Sequence, residues 1–155
     1  MARVYNPLIV DVALLLNRIA LGALFLLAGY RKIFPGDKGI IEAVSGFANS
    51  QVDKAPLPEF LARAYLFTLP FMEVLAGLLL IVGLLTRVWA VIIALMLLSF
   101  MMAFGLAWWP DSGPAFTKNV ILCTLAILIA TLGSGRLGLD AVLFTGKSKS
   151  PAMPG

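Results

Sequence analysis

Glu73 interrupts the apolar run "FMEVLAGLLLIVGLLTR", and Arg18 interrupts "NRIALGALFLLAGYRKIF". An ionised side chain near bilayer mid-depth costs at least about 2.5–3.5 kcal/mol, so if these runs cross a membrane both groups must face protein or water and find partners. Lys32 and Tyr30 close the first run, while Lys118 and Asn119 open a later one, "TKNVILCTLAIL". Together they offer hydrogen-bond donors, cations and one carboxyl group inside an apolar setting. That set suits the headgroup of a quinone, which asks for a flat apolar slot, donors at its carbonyl oxygens and an acid able to pass protons. Lys32, Asn119 and Tyr30 can donate, and Glu73 can carry the proton. The plainer alternative is that Arg18 and Glu73 satisfy each other or nearby backbone and only fix helix register.

Other chemistry is narrowed by what the chain lacks. It has no histidine and one cysteine, Cys123. Histidine-ligated haem and an internal disulfide are therefore excluded, and one thiolate is too few for a zinc site or an iron–sulfur cluster supplied by this chain. Met72, Met96, Met101 and Met102 are soft enough for copper, but methionine in an apolar span is more often packing. Cys123, among Leu122, Thr124 and Leu125, likewise reads as packing. The formal charge is +4, yet the cations are scattered over helix ends, loops and one tail. No basic stripe for nucleic acid forms, and anionic lipid headgroups are the expected counter-charge.

The elements that must position these residues follow from composition. With 61% hydrophobic and 13% charged residues and a mean hydropathy of +0.98, the chain departs from a soluble domain and reads as a membrane protein. A bilayer core of roughly 30 Å needs about 20 mostly apolar residues per helix. Four stretches qualify, near Asp11 to Ile33, Tyr65 to Leu85, Val88 to Trp109 and Phe116 to Leu132. The first runs into "GYRKIFPG" rather than a small-residue cleavage site, which predicts a retained helix. Between the first two spans, Ile40, Ile41, Val44 and Phe47 recur at helical spacing and predict a short amphipathic interfacial helix. Pro70 is expected to kink the second span. "GLLTRVW" allows only a turn, so the second and third spans should form an antiparallel hairpin. The tail from 144 to 155, small, polar and rich in proline, is expected to be disordered beyond a single membrane domain over 1–143. Both termini then lie on one side, taken as cytoplasmic, although Lys and Arg are nearly balanced between the two sides.

Inward positions in such a bundle recur about every 3.5 residues. On the first span that register selects Asp11, Leu15, Arg18, Gly22, Phe25, Gly29 and Lys32; on the second, Leu66, Pro70, Glu73, Gly77, Leu80, Leu84 and Arg87. On the third, Ala90, Ala94, Met101 and Gly105 share a face; the fourth selects Asn119, Cys123, Ala126, Ala130 and Gly133. Gly22, Gly29 and Gly77 are explained as close-approach points between helices. At a rise of about 1.5 Å per residue, Arg18 lies about 10 Å and Glu73 about 20 Å from the terminal side. Two polar zones result. One surrounds Glu73 with Lys32, Lys118 or Asn119; the other gathers Arg18, Arg87, Arg136 and Asp140. Trp89, Trp108 and Trp109, at span ends, are expected to anchor the interfaces.

These runs, in this order and with the ending "GSGRLGLDAVL", resemble the DoxX family of small four-helix bacterial membrane proteins, over about Leu14 to Leu143. The resemblance implies a four-helix bundle and, through its thiosulfate:quinone oxidoreductase relatives, a role near quinones or in sulfur and thiol redox chemistry, beside a protein partner that carries redox centres. Related members are described as partners of superoxide dismutase and sulfurtransferase in an oxidative-stress complex. The family pattern falls on Arg18, Gly22, Gly29, Lys32, Glu73, Gly77, Arg87, Lys118, Asn119, Arg136 and Asp140. Many relatives carry a histidine near "LLAGYRK" or at the end of the third span; this chain has none. In "GRLGLDAVL", Gly133 and Gly135 should stop the fourth helix, and Arg136 and Asp140 should bridge each other if the turn is helical.

The expectation is thus an all-α, four-helix transmembrane bundle in the bacterial cytoplasmic membrane. Its leading function is a quinone-associated subunit of a redox assembly, with Glu73 as the proton-carrying group and Arg18, Tyr30, Lys32, Lys118 and Asn119 around the ligand. Gly22, Gly29, Gly77, Arg87, Arg136 and Asp140 are expected to be structural. A non-catalytic assembly subunit is the second reading. A small-molecule or lipid transporter is the third, disfavoured by four spans without an evident inverted repeat. Lipids are expected neighbours, and self-association into a homo-oligomer stays open.

Overall fold

The computed structural model describes residues 7–55, 57–104 and 113–144. Their elements run α1 (Pro7–Ile33), α2 (Ile40–Gln51), a 3₁₀ turn (Val52–Lys54), α3 (Glu59–Val82), α4 (Thr86–Phe104), α5 (Gly113–Leu132) and α6 (Leu139–Phe144). Among the described residues there is no strand. The four predicted spans correspond to α1, α3, α4 and α5, and the amphipathic segment to α2. α3 begins six residues earlier than expected and runs without a break through Pro70. Trp108, Trp109, Gly105, most of the "WPDSGP" linker and the tail beyond Phe144 lie outside the described residues.

α1 and α3 are long and apolar enough to cross a membrane, and the described parts of α4 and α5 form shorter apolar helices, Thr86–Met102 and Lys118–Leu132. Polarity is arranged inside out relative to a water-soluble bundle. Leu16, Leu27, Phe60, Leu95, Ile121 and many other large apolar side chains are exposed, while Asp11, Arg18, Glu73 and Asn119 are buried. Outward apolar surface of this extent marks contact with lipid or another apolar partner.

The most extensive helix pairings are α1 with α3 and α4 with α5. The α3–α4 connection is the expected tight turn, but each of these helices packs mainly on another neighbour. Glycine explains the α1–α3 contact. A Cβ at Gly77 would lie 2.5 Å from the Gly22 carbonyl oxygen, and one at Gly29 would lie 2.5 Å from that of Pro70. Backbones cross almost in contact, the arrangement that small residues permit between membrane helices. Leu21, Phe25, Leu69, Leu80, Ile93, Leu97 and Ile129 fill the core around this crossing.

α2 buries Ala43, Val44 and Ala48 against the bundle, leaving Ile40 and Ile41 exposed. It is a docked helix, tied to α3 where the Arg63 guanidinium donates to Asn49 Oδ1 at 2.6 Å and to Glu59 Oε1 at 2.7 Å. Trp89 stands in the first turn of α4, half-buried; its ring packs on the core, and its indole N–H is buried with no partner among the described residues. Met96 and Met101 are core residues and Met102 is exposed, and no metal-binding group of His, Cys, Asp or Glu occurs among the described residues. Cys123 is buried at the α4–α5 contact, its Sγ 3.9 Å from the Ala94 carbonyl oxygen.

Candidate functional site

At the end of the bundle facing α2 lies a cavity of about 890 Å³, lined from α1, α2, α3, α4 and α5. Leu24, Phe25, Leu66, Leu69, Leu97 and Leu122 supply apolar walls; Lys32, Tyr65, Glu73, Ser99, Lys118 and Asn119 supply the polar groups.

Its centre is an ion pair. Lys32 Nζ donates to both carboxylate oxygens of Glu73, at 2.5 and 2.7 Å. The Glu73 side chain is 2% exposed and that of Lys32 24%, so the pair reaches from the core toward the cavity mouth. Local chain geometry explains the meeting. Lys32 occupies the last turn of α1, where a cation is favoured by the helix dipole. Three residues earlier, Gly29 lets α3 approach so closely that a Cβ there would lie 2.9 Å from Glu73 Cβ. The ammonium also lies 4.9 Å from the Phe47 ring centre and 5.7 Å from that of Phe100, within cation–π range. One helical turn before Glu73, Pro70 offers no N–H to the Leu66 carbonyl.

Tyr65 and Ser99 form the second polar feature, their hydroxyl oxygens 2.6 Å apart. Ser99 donates to the Met96 carbonyl at 2.7 Å, which leaves the phenol as the donor to Ser99. Both residues line the cavity, so a ligand carbonyl there can compete with Ser99 for the phenolic proton.

Of the residues singled out in the sequence, Glu73, Lys32, Lys118 and Asn119 come together around this cavity, with Lys118 exposed and Asn119 buried. Tyr30 does not join them. It is exposed on the outer face of α1 and packs on Phe34, ring centres 5.0 Å apart. Arg18 does not join them either, and its partner is not Glu73. Tyr65, Ser99 and Phe100 were not singled out, and Phe47 only as part of the amphipathic segment; for Tyr65, the available signal was its position next to inward-facing Leu66.

The second zone holds Arg18, fully buried, with Nη2 donating to the Leu137 carbonyl at 3.3 Å. Its Nε and Nη1 have no hydrogen-bond partner among the described residues, and the charge that faces it is Asp140. Gly83 and Gly138 leave room for the guanidinium, since a Cβ on either would collide with Nη1. Arg136 and Asp140 do not bridge each other. Gly135, at φ 63°, turns the chain before α6 begins at Leu139, so the two residues are not on one helix. Arg136 pairs instead with Asp11, by its Nε at 2.8 Å and its backbone N–H at 3.0 Å. Asp140 accepts from the backbone N–H groups of Leu85 at 2.6 Å and Thr86 at 2.9 Å, capping α4 across 54 residues of sequence. Arg87 is exposed, with its guanidinium beside Gly133. This zone locks the helix ends; it is separate from the cavity.

The family model described as DoxX matches residues 13–109. The chain belongs to the DoxX family. No curated protein and no solved structure gives a significant match. The match takes in Arg18, Lys32, Tyr65, Glu73 and Ser99, and ends before α5, so Lys118 and Asn119 stand on the geometry of this DoxX protein alone. Family membership and the apolar helices together make it a membrane protein.

Proposed function

We propose that this DoxX protein is a four-helix integral membrane subunit of the bacterial cytoplasmic membrane that binds a quinone in the Glu73 cavity and serves a redox assembly concerned with sulfur, thiol or oxidative-stress chemistry. α4 and α5, 19 and 20 residues long, each span about 30 Å and present apolar outer faces, which supports four crossings. Even crossings put both termini on one side, which we assign to the cytoplasm.

The observation that carries the ligand is the coincidence of an apolar cavity with the buried Glu73 carboxylate, the Lys32 ammonium and the Tyr65 phenol at its wall. A quinone supplies two-electron, two-proton chemistry when bound. Towards it the chain's own groups have distinct tasks. Leu66, Leu69 and Leu97 pack a flat ring and keep water out; Tyr65 and Lys32 donate to carbonyl oxygens; Glu73 exchanges a proton as Lys32 shifts between it and the ligand. With no histidine and one cysteine the chain offers few ligands for a redox centre, and we assign the source of electrons to a partner protein.

Titration of the purified protein with a short-chain quinone, followed by calorimetry, tests this reading. Saturable one-to-one binding, weakened at least tenfold in both Tyr65→Phe and Glu73→Gln, is expected; no saturable binding to the wild type counts against it. One observation favours a second reading, a structural subunit without ligand: Lys32 and Glu73 already satisfy each other, as charges that only fix helix register would.

A further inference from the structure

The charges of the described residues around the cavity do not balance: Arg31, Lys32 and Lys118 line it with one carboxylate, Glu73, which is paired with Lys32. Arg31 and Lys118 are exposed at the mouth, and neither has an ion-pair partner among the described residues. Asn119 lies beside Lys118 on α5, is 6% exposed and lines the same cavity. Two cations and a buried amide donor around one opening ask for an anionic oxygen group, which a neutral quinone ring does not provide.

The walls say where that group comes from. Leu24 and Leu27 line the cavity and are also about half exposed on the outer face of α1, so cavity and lipid-facing surface are continuous. At about 890 Å³ the space is near the upper end of the roughly 300–1,000 Å³ of small-molecule sites, with room for more than one ring. We propose that the mouth binds the phosphate of one anionic phospholipid, held by Arg31, Lys118 and the Asn119 amide, with an acyl chain entering between Leu24 and Leu27. The two uncompensated positive charges select a headgroup of net negative charge over a zwitterionic one. This inference stands apart from the quinone reading, because the hydrogen bonds and ion pair of Lys32 and Glu73 involve none of Arg31, Lys118 and Asn119.

The test is native mass spectrometry of the full chain released from mixed micelles holding equal amounts of phosphatidylglycerol and phosphatidylcholine. The expected result is one retained phosphatidylglycerol per protein, favoured at least tenfold over phosphatidylcholine. That preference should fall to near unity in the Arg31→Gln, Lys118→Gln double variant. It should persist in Arg63→Gln, which removes a cation at the same end of the bundle. If the double variant fails to fold, Lys118→Gln alone, at an exposed position, is expected to lose most of the preference. Equal retention of both lipids by the wild type, an unchanged preference in a folded double variant, or displacement of phosphatidylglycerol by millimolar inorganic phosphate would overturn the proposal. Quinone binding is read separately, so its absence leaves this result intact.

Discussion

Lys32 on α1 and Glu73 on α3 meet through two short hydrogen bonds at the point where Gly29 lets their helices almost touch. The pair is asymmetric: the carboxylate is sealed and the ammonium has a path to the cavity mouth. Removing one partner from a buried pair leaves the other charge stranded, which typically costs about 3–5 kcal/mol, whereas replacing both with apolar groups is often close to neutral. Lys32→Met should therefore lower stability by an amount in that range, and adding Glu73→Leu should recover most of it. Unfolding of the three variants in detergent, compared with wild type, checks this.

The α1–α3 crossing rests on absent side chains. Because a Cβ at Gly77 would meet the Gly22 carbonyl oxygen at 2.5 Å and the Leu26 nitrogen at 2.6 Å, the obstruction is backbone and cannot rotate away. Gly77→Ala should force the helices apart and cost about 1–3 kcal/mol, the usual range for overpacking. Gly46→Ala, in α2 with open space around it, should change stability little in the same melting experiment.

Asp140 holds the start of α4 through two backbone N–H groups. Loss of a capping carboxylate costs about 0.5–2 kcal/mol. Asp140→Ala is expected to show that loss, and Asp140→Asn, which keeps one acceptor oxygen, a smaller one. Faster hydrogen exchange at Leu85 and Thr86 in Asp140→Ala would localise the effect.

Arg18 and Tyr65 separate the two polar zones experimentally. Arg18 lies against Leu137, Gly83 and Gly138, away from the cavity, whereas Tyr65 lines it. Arg18→Met should leave quinone bound per folded protein unchanged, and Tyr65→Phe should reduce it at least tenfold with little change in stability. The reverse pattern in a binding titration would relocate the ligand to the Arg18 zone.

Much of this arrangement was legible in the sequence, and the failures have physical reasons. Helical period sorted most inward from outward residues: Asp11, Arg18, Gly22, Phe25, Gly29, Leu66, Glu73, Gly77 and Asn119 are buried, whereas Leu15 and Ala130 are half-buried and Arg87, at the end of its register, is exposed. Period does not tell which neighbour an inward residue meets, so Lys32 stood among several possible partners for Glu73. Tyr30 was a reasonable donor by chemistry, but it follows Gly29 by one residue and so turns to the outer face. Tyr65 turns its hydroxyl to Ser99 of α4, a contact between segments 34 residues apart that no local pattern displays. The Arg136–Asp140 bridge assumed a helix that Gly135 prevents, and the freed Arg136 found Asp11 across 125 residues of sequence.

The central claim is that the Glu73 cavity holds a quinone. It is tested most directly by native mass spectrometry of wild type and Glu73→Gln gently extracted from their own membrane. Stoichiometric quinone on the wild type and none on a folded Glu73→Gln variant is the expected result. A folded wild type that carries protein partners but never quinone would contradict it and leave the structural subunit as the reading.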